Sequence, residues 1–172
     1  LEVRDPVYFE QMYFCATSKR CDFLYALACK FTDLEDVEIE LEGSCKDSSF
    51  YVREKIVRYK TGYLSVPIKT PYLWWPYGYG EANIYDATVR IYAGGALVHE
   101  ETTHFGIRDV VLERSDMTDG KSGCFRFLVN DTEIMCKGSN WVPLDAFHCR
   151  DAERYGRALA LVKDIGCNIL RC

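Results

Sequence analysis

Four residues near the C-terminus have types and positions that could do chemistry: Asn140, Trp141, Asp145 and Arg171. The first three follow a predicted β-strand, and Arg171 ends a short apolar run that predicts the next strand. In a (β/α)-barrel, the residues that bind ligands and perform catalysis project from the C-terminal ends of strands and the loops after them. The placement therefore indicates a ligand site. These residues could instead have a purely structural role, because a Trp after a strand often covers a barrel end and a strand-end Arg often completes an ion pair.

The elements that must position these residues begin with a predicted hairpin. Two short β runs, Cys124–Val129 and Thr132–Lys137, flank Asn130-Asp131, and both turn residues tolerate a positive φ angle. A polar and aromatic loop, Gly138–Phe147, comes next. Thr132–Lys137 would then be the first barrel-type strand, and the site residues would follow it.

A helix is predicted between this loop and the last strand. Its apolar positions recur at helical spacing: Tyr155, Ala158, Leu159, Val162 and Ile165. Asp151 is placed to cap the N-terminus, Lys163 lies in the last turn, and Gly166 occupies the position just after the helix. Cys167–Leu170 then predicts a strand. The order of strand, loop, helix and strand indicates the opening of a parallel α/β unit.

Residues 1–115 predict a β-sandwich, because short strands follow one another with turn residues between them. The predicted strands are residues 6–16, Cys21–Phe31, Val37–Leu41, Phe50–Tyr59, Tyr63–Ile68, Asn83–Tyr92, Ala96–Thr103 and Val110–Glu113. Cys21–Phe31 has a composition that would also suit a helix, but its alternation favours a strand that is buried on both faces. Gly43–Ser49 predicts a polar turn, and Ser115–Gly123 predicts a linker to residues 116–172.

Composition excludes several classes of partner. The net charge is −5 and no basic stripe occurs, which argues against nucleic acid. No apolar run is long enough to span a membrane, so no membrane partner is expected. Nine cysteines, an odd number without a C-x-x-C pair, indicate a reducing compartment, and we expect cytoplasmic localisation. The three histidines are scattered, so we expect no metal and no cofactor.

Residues 124–171 also carry a resemblance. The pattern F-x-F-x-V-N-x-x-x-I-x-x-K-G-S-N-W-V-P-L-D, followed by N-I-L-R, resembles the barrel entrance of glycoside hydrolase family 2. The N-W-V-P-x-D form is most similar to the β-mannosidase branch. Upstream, L-W-W-P-Y-G-Y-G and F-G-I-R resemble the immunoglobulin-like domain that precedes the barrel in this family. Together these motifs cover roughly residues 70–172, and Tyr77 departs from the small turn residue expected at its position.

The resemblance implies a mainly β chain, with an immunoglobulin-like β-sandwich over residues 1–115. Residues 116–172 would be the first β-α-β piece of a truncated (β/α)8 barrel. The parent protein would be a retaining exo-glycosidase that hydrolyses terminal β-linked sugars, most readily β-mannosides. Trp141 would form an apolar wall of the sugar site, while Asn140, Asp145 and Arg171 would hydrogen-bond around the sugar or hold the catalytic acids.

The same resemblance implies that the chain alone is inactive, because both catalytic glutamates would come from barrel strands well beyond the second. Two other classes stay open: a non-catalytic carbohydrate-binding sandwich, with Trp74 and Trp75 exposed, and a purely structural module. Among sugars, β-galactosides and β-glucuronides stay open. The adjacent His148 and Cys149 could indicate a thiol nucleophile, but neighbouring side chains point apart. Asn130-Asp131-Thr132 fits a turn better than a glycosylation site.

The predicted barrel piece would have few neighbours. At most two barrel strands and one helix are present, whereas parallel strands are normally covered on both faces. We therefore expect this piece to dock on the sandwich, to self-associate or to fray.

Overall fold

The computed structural model describes residues 5–30, 36–56, 59–115 and 123–172. Within this part the chain is mainly β, with one helix. It forms two compact units: Leu1–Trp74 with Asn83–Arg108, and Trp75–Ala82 with Asp109–Cys172. No helix in the described ranges is long and apolar enough to cross a membrane.

The first unit is a sandwich of two antiparallel sheets, which confirms the predicted architecture. Its strands are β1 Tyr8–Ala16, β2 Cys21–Ala28, β3 Val37–Cys45, β4 Ser48–Ile56, β5 Thr61–Ser65, β6 Tyr85–Ala93 and β7 Ala96–Phe105. One sheet has the order β1-β2-β5 and the other has the order β4-β3-β6-β7. β5 therefore does not follow β4 in the same sheet but crosses to pair with β2.

Alternation along the strands explains why they form. In β3, Val37, Ile39 and Leu41 are fully buried, and the glutamates between them lie on the other face. β2 is a strand rather than a helix, as its alternation predicted. It is not buried on both faces, however. Phe23, Tyr25 and Leu27 lie in the core, whereas the residues that alternate with them are only half-buried, because one face of an antiparallel sheet remains uncovered.

Aromatic side chains hold the two sheets together. The ring of Phe105 in β7 stacks on Phe14 of β1 with a centroid distance of 4.1 Å, and on Tyr85 of β6 at 5.3 Å. The buried hydroxyl of Tyr85 donates to the Ser48 hydroxyl at 2.9 Å and accepts from the Tyr72 backbone N–H at 3.0 Å. Large rings with satisfied polar atoms thus fill the core.

The β3–β4 hairpin is tighter than predicted. In place of a polar turn over Gly43–Ser49, the strands continue to Cys45 and restart at Ser48, so only Lys46 and Asp47 turn the chain. Lys46 has φ 56°. Gly43 belongs to the sheet because its partner Phe50 fills the space beside it. A Cβ atom at Gly43 would lie 2.5 Å from the Asp86 carbonyl oxygen and 2.6 Å from the Phe50 ring.

The second unit contains β8 Val110–Arg114, β9 Phe125–Val129, β10 Thr132–Ile134, β11 Gly138–Asn140, α1 Asp151–Asp164 and β12 Ile169–Arg171. β8, β9 and β10 form an antiparallel sheet, and β11 pairs with β12 in parallel. The turn between β9 and β10 is the predicted one, since Asn130 has φ 50° and Asp131 has φ 62°.

Two sequence assignments change in this unit. The strand predicted at Val110–Glu113 forms as β8, but its partner is β9 rather than a sandwich strand. The hairpin strand over Thr132–Lys137 stops at Ile134, and the parallel strand is the following β11, which was predicted as loop. Most of the predicted linker, residues 116–122, lies outside the described residues. The compact units separate at Arg108 and Asp109, and the predicted domain boundary at residue 115 stays a prediction.

Helix α1 ends as predicted but begins differently. Gly166 has φ 78° and donates to the Lys163 carbonyl, while the Cys167 N–H bonds to the Val162 carbonyl at 3.1 Å. This pair of bonds is the Schellman motif that a glycine at this position supports. At the other end Arg150 is the N-cap residue, without a side-chain capping bond. The prediction that Asp151 caps the helix is wrong, because this carboxylate bonds to His148 instead.

The close fit at Gly43 generates a stability prediction. Gly43→Ala should lower the free energy of unfolding by about 1–3 kcal/mol, because the new methyl group collides with backbone as well as with the Phe50 ring. Urea titration followed by circular dichroism measures the effect. The matched control is Gly156→Ala in α1, where a Cβ atom meets no neighbour within 4 Å. Equal midpoints for the Gly43 variant and the unmodified chain would contradict this packing.

Candidate functional site

The parallel pair β11–β12 brings two of the four predicted site residues together. In its register Asn140 is the partner of Arg171, and both residues end their strands. The Trp141 backbone N–H extends the pairing by donating to the Arg171 carbonyl at 2.7 Å. Register partners direct their side chains to the same face. An amide and a guanidinium therefore stand side by side at the C-terminal edge of the pair, and neither side chain has a polar partner among the described residues.

Two residues outside the predicted site hold this pair in register. Gly138 lies so close to β12 that an added Cβ atom would collide with the Ile169 carbonyl, so only glycine fits. The Asn168 side chain bridges the strand entrances, since it accepts from the Lys137 N–H at 2.8 Å and donates to the Met135 carbonyl at 2.9 Å. In the sequence, Asn168 belongs only to a predicted strand, Cys167–Leu170. Its signal was a polar amide inside an apolar run.

Trp141 lies directly after β11 and faces the helix. Its ring centroid is 6.1 Å from that of Tyr155, with an angle of 42° between the planes. Tyr155 was predicted as part of the apolar helix face, and the structure places it beside the loop that carries the site residues. The two rings form an aromatic wall that is partly open to solvent.

Asp145 has its own partners within the loop. Its carboxylate accepts from the Cys149 backbone N–H at 3.2 Å and lies 3.6 Å from the Arg154 guanidinium. Arg154 also donates to the Leu144 carbonyl. No polar contact joins Asp145 to Asn140, Trp141 or Arg171 in the described ranges. Asp145 therefore fixes the loop that follows Trp141, and the structure does not bring it into contact with the other three.

A histidine and an aspartate form a pair that the sequence analysis missed. His148 Nδ1 lies 2.7 Å from Asp151 Oδ2, and the Asp151 side chain is buried at the start of α1. Its second carboxylate oxygen has no hydrogen-bonding partner among the described residues. The structure thus pairs His148 with Asp151 and not with Cys149, whose thiol approaches the Phe147 carbonyl at 3.5 Å. A His three residues before a helix-opening Asp was the available signal.

The remaining carboxylate near the site, Glu133, lies on the hairpin. It pairs with Arg126 at 3.0 Å, and Arg126 also binds Glu113. These hydrogen bonds, from Glu113 first and Glu133 second, raise the pKa of the Arg126 guanidinium. Glu133 is thus part of a surface ion-pair group. The described residues contain no group of three or more His, Cys, Asp or Glu that could hold a metal ion.

The two aromatic motifs contact each other within the first unit. Leu73 forms a parallel bridge with Ile107, and the Trp74 N–H donates to the Ile107 carbonyl at 2.8 Å. Gly106 leaves room for Trp74, and the Arg108 guanidinium lies 4.9 Å from the Trp74 ring centroid. Trp74 is therefore a half-buried anchor of the sandwich rather than an exposed platform for a sugar.

Comparison with known proteins assigns the family. Residues 27–108 match the family model of glycosyl hydrolases family 2. A β-mannosidase B of Aspergillus clavatus is 37% identical over 129 residues, or 74% of this chain. One of Aspergillus fumigatus is 34% identical over 82% of this chain. The chain belongs to glycoside hydrolase family 2. It spans 13% and 17% of the lengths of these two relatives.

Solved structures of two glycosidases have the same fold as this chain. The β-glucuronidase of Parabacteroides merdae superposes with a TM-score of 0.72 and 15% identity, over 96% of this chain and 21% of that chain. The exo-chitosanase of Amycolatopsis orientalis superposes with a TM-score of 0.64 and 19% identity, over 96% of this chain and 20% of that chain. The family model and the β-mannosidase B relatives confirm the family resemblance of the sequence motifs. The family model also reaches back to residue 27, into strands where the sequence showed only a compatible β pattern.

Proposed function

We propose that the intact protein is a retaining exo-glycosidase that hydrolyses terminal β-linked sugars, with β-mannosides as preferred substrates. The observation that carries the proposal is the pairing of Asn140 with Arg171 at the C-terminal edge of β11–β12, with Trp141 beside them. This edge is where barrel enzymes bind their substrates. The curated relatives named β-mannosidase B support the choice of sugar.

In this proposal each site residue has a distinct role. The Trp141 indole supplies an apolar wall against the sugar ring. The Asn140 amide can both donate to and accept from sugar hydroxyls. The Arg171 guanidinium is suited to orient a carboxylate through two parallel hydrogen bonds. Asp145, held by Arg154 and the Cys149 N–H, keeps the loop in shape or offers its remaining lone pairs to a hydroxyl.

The residues present do not supply the catalytic pair. Retaining hydrolysis needs two carboxyl groups about 5 Å apart, one as nucleophile and one as acid and base. Asp145 is engaged within its loop, and Glu133 is paired with Arg126 on the hairpin. We therefore propose that the 172 residues alone do not hydrolyse a glycoside.

Kinetics of the intact protein test these roles. Arg171→Lys should lower kcat for 4-nitrophenyl β-D-mannopyranoside about 10- to 100-fold, because an ammonium cannot hold a carboxylate in a fixed plane. Glu133→Gln is the control and should leave kcat unchanged. The 172-residue chain alone should give no turnover. An unchanged kcat for Arg171→Lys, an inactive Glu133→Gln enzyme, or turnover by the short chain would each contradict the assignment.

The sugar itself needs a separate measurement. The β-glucuronidase and exo-chitosanase structures share the fold at low identity, so the fold does not select a sugar. A panel of 4-nitrophenyl β-mannoside, β-galactoside and β-glucuronide should give the highest kcat/KM for the mannoside. A higher value for either of the other sugars would overturn the preference but leave the glycosidase proposal in place.

We also propose that the protein resides in a reducing compartment, the cytoplasm. The support is the odd number of cysteines and the burial of two of them, Cys21 and Cys45, as small apolar side chains. Cys21 illustrates this, because burial first, and the nearby Asp22 and Cys15 second, raise the pKa of its thiol to about 12.

Alkylation tests the state of the thiols. Protein purified without reductant, then unfolded and treated with iodoacetamide, should carry nine modified cysteines. In the folded chain at pH 8, Cys21 should react about 100-fold or more slowly than the exposed Cys15 on the neighbouring strand, because little thiolate forms at a buried site. A disulfide in the unfolded sample would argue against the reducing compartment. Equal rates at the two cysteines would contradict the burial of Cys21.

A further inference from the structure

The outer face of the β4-β3-β6-β7 sheet carries a depression that the site at β11–β12 does not include. The strand register sorts the outward side chains into rows that cross the sheet. The row nearest the β3–β4 turn consists of Ser49, Ser44, Asp86 and His104. The next row consists of Tyr51, Glu42, Thr88 and Thr102. Most of these side chains are short, and a cavity of about 580 Å³ lies over them.

The following row of outward side chains lies next to the depression on the sheet but does not line it. Glu40 is buried there between Arg53, at 3.3 Å, and Arg90, at 3.0 Å. Burial alone raises the pKa of the Glu40 carboxyl, but hydrogen bonds from Arg90 and from two tyrosines outweigh burial, so the net pKa is lowered. Arg90 also binds Glu42 at 2.6 Å and Glu100 at 2.5 Å. This network fixes Glu42 and Tyr51, which line the cavity.

Tyr51 separates this depression from a second one. Its hydroxyl donates to Glu40 at 3.0 Å, which fixes a ring that is still 58% exposed. The same residue lines a neighbouring cavity of about 550 Å³ on its other side, together with Lys69 and Tyr72. Tyr72 is fixed in turn by a 2.6 Å hydrogen bond to Asp47. An oriented aromatic ring therefore lies between two cavities of ligand-binding size.

The lining chemistry selects the class of ligand. The larger cavity is bordered by serine and threonine hydroxyls, by the carboxylates of Glu42 and Asp86, and by no lysine or arginine. His104 Nδ1 is 2.7 Å from Asp86, which leaves the second ring nitrogen for a ligand. Such groups can exchange hydrogen bonds with many hydroxyls, and an exposed tyrosine ring offers an apolar surface to a ring face. The Glu42 and Asp86 carboxylates would repel an anionic ligand, so the lining favours a neutral one.

We propose that this face of the sandwich is an accessory binding site for a linear, neutral β-linked glycan, with successive sugar rings in the two cavities and the chain crossing Tyr51. The site belongs to the first unit and is independent of Asn140, Trp141, Asp145 and Arg171. It would hold a polymeric substrate or product on the protein without taking part in hydrolysis.

Nuclear magnetic resonance titration of the 172-residue chain tests the site. β-1,4-Mannotetraose and cellotetraose are the neutral probes, and tetragalacturonate is the acidic comparison. A neutral probe should cause saturable shifts at the amides of Ser44, Thr88 and Thr102, and tetragalacturonate should bind more weakly. Tyr51→Ala should weaken binding about tenfold. The matched control is Tyr13→Ala, on the outer face of the other sheet, where the ring is 56% exposed; it should bind like the unmodified chain.

A second variant guards against indirect effects, because Tyr51→Ala also removes a hydrogen bond to Glu40. Thr102→Arg places a long side chain in the larger cavity from an exposed strand position and should abolish binding while the spectrum keeps its dispersion. The proposal is overturned if no probe, at about 10 mM, shifts the amide signals of Ser44, Thr88 and Thr102. It is also overturned if signals shift only outside the two cavities. It is equally overturned if Tyr13→Ala weakens binding as much as Tyr51→Ala.

Discussion

The stacking of Phe105 against Phe14 and Tyr85 is the interaction on which the sandwich depends. It joins strands of both sheets in one core, with centroid distances of 4.1 and 5.3 Å. Tyr85 extends the contact through its hydroxyl to Ser48 and to the backbone of Tyr72. Directly after Phe105, Gly106 and Ile107 receive the Leu73–Trp74 segment. Two motifs that begin at Leu73 and Phe105, far apart in the sequence, are thus parts of one packing arrangement.

Much of the fold could be predicted from the sequence, because the alternation of apolar residues and the types of turn residues are local signals. Val37, Ile39 and Leu41 alternate with glutamates, and the structure places these three in the core and the glutamates on the outer face, where ion pairs cover Glu40. Asn130, Asp131 and Gly166 take the positive φ angles that their types predict. The partner of β8 could not be read in this way. All five of its residues are exposed, so no burial pattern distinguished one sheet from another.

Only part of the candidate site could be predicted from the sequence, because strand pairing depends on contacts between distant residues. The positions of Asn140 and Arg171 at strand ends followed from order along the chain. The three-residue strand β11 was too short to show a period, and its existence depends on long-range contacts with Asn168 and Ile169. The pairing of His148 with Asp151 replaced a predicted cap, because a side-chain partner competed with the helix N–H groups for one carboxylate. Such competition is decided by geometry rather than by residue type.

The second unit leaves much apolar surface uncovered. Phe147 is 85% exposed and Ile165 is 75% exposed, and Leu159 and Leu161 on α1 are also exposed. Each side chain of this size forgoes about 1.5–3 kcal/mol when it stays in water. Parallel strands are normally covered on both faces, but the described residues contain only one helix, α1, that could cover β11 and β12. We infer that this unit reaches its functional geometry only with further barrel elements, and that alone it docks on the sandwich, self-associates or frays.

Hydrogen exchange on a monomeric sample of the 172-residue chain tests this account most directly. Amides of residues 83–103, in the four-stranded sheet, should exchange slowly and with protection close to the free energy of global unfolding. Amides of residues 151–172 should exchange much faster, because α1 and β12 open without disturbing the sandwich core. Equal and strong protection of both segments in a monomer would contradict the account, since it would require a core around α1 that the described contacts do not contain.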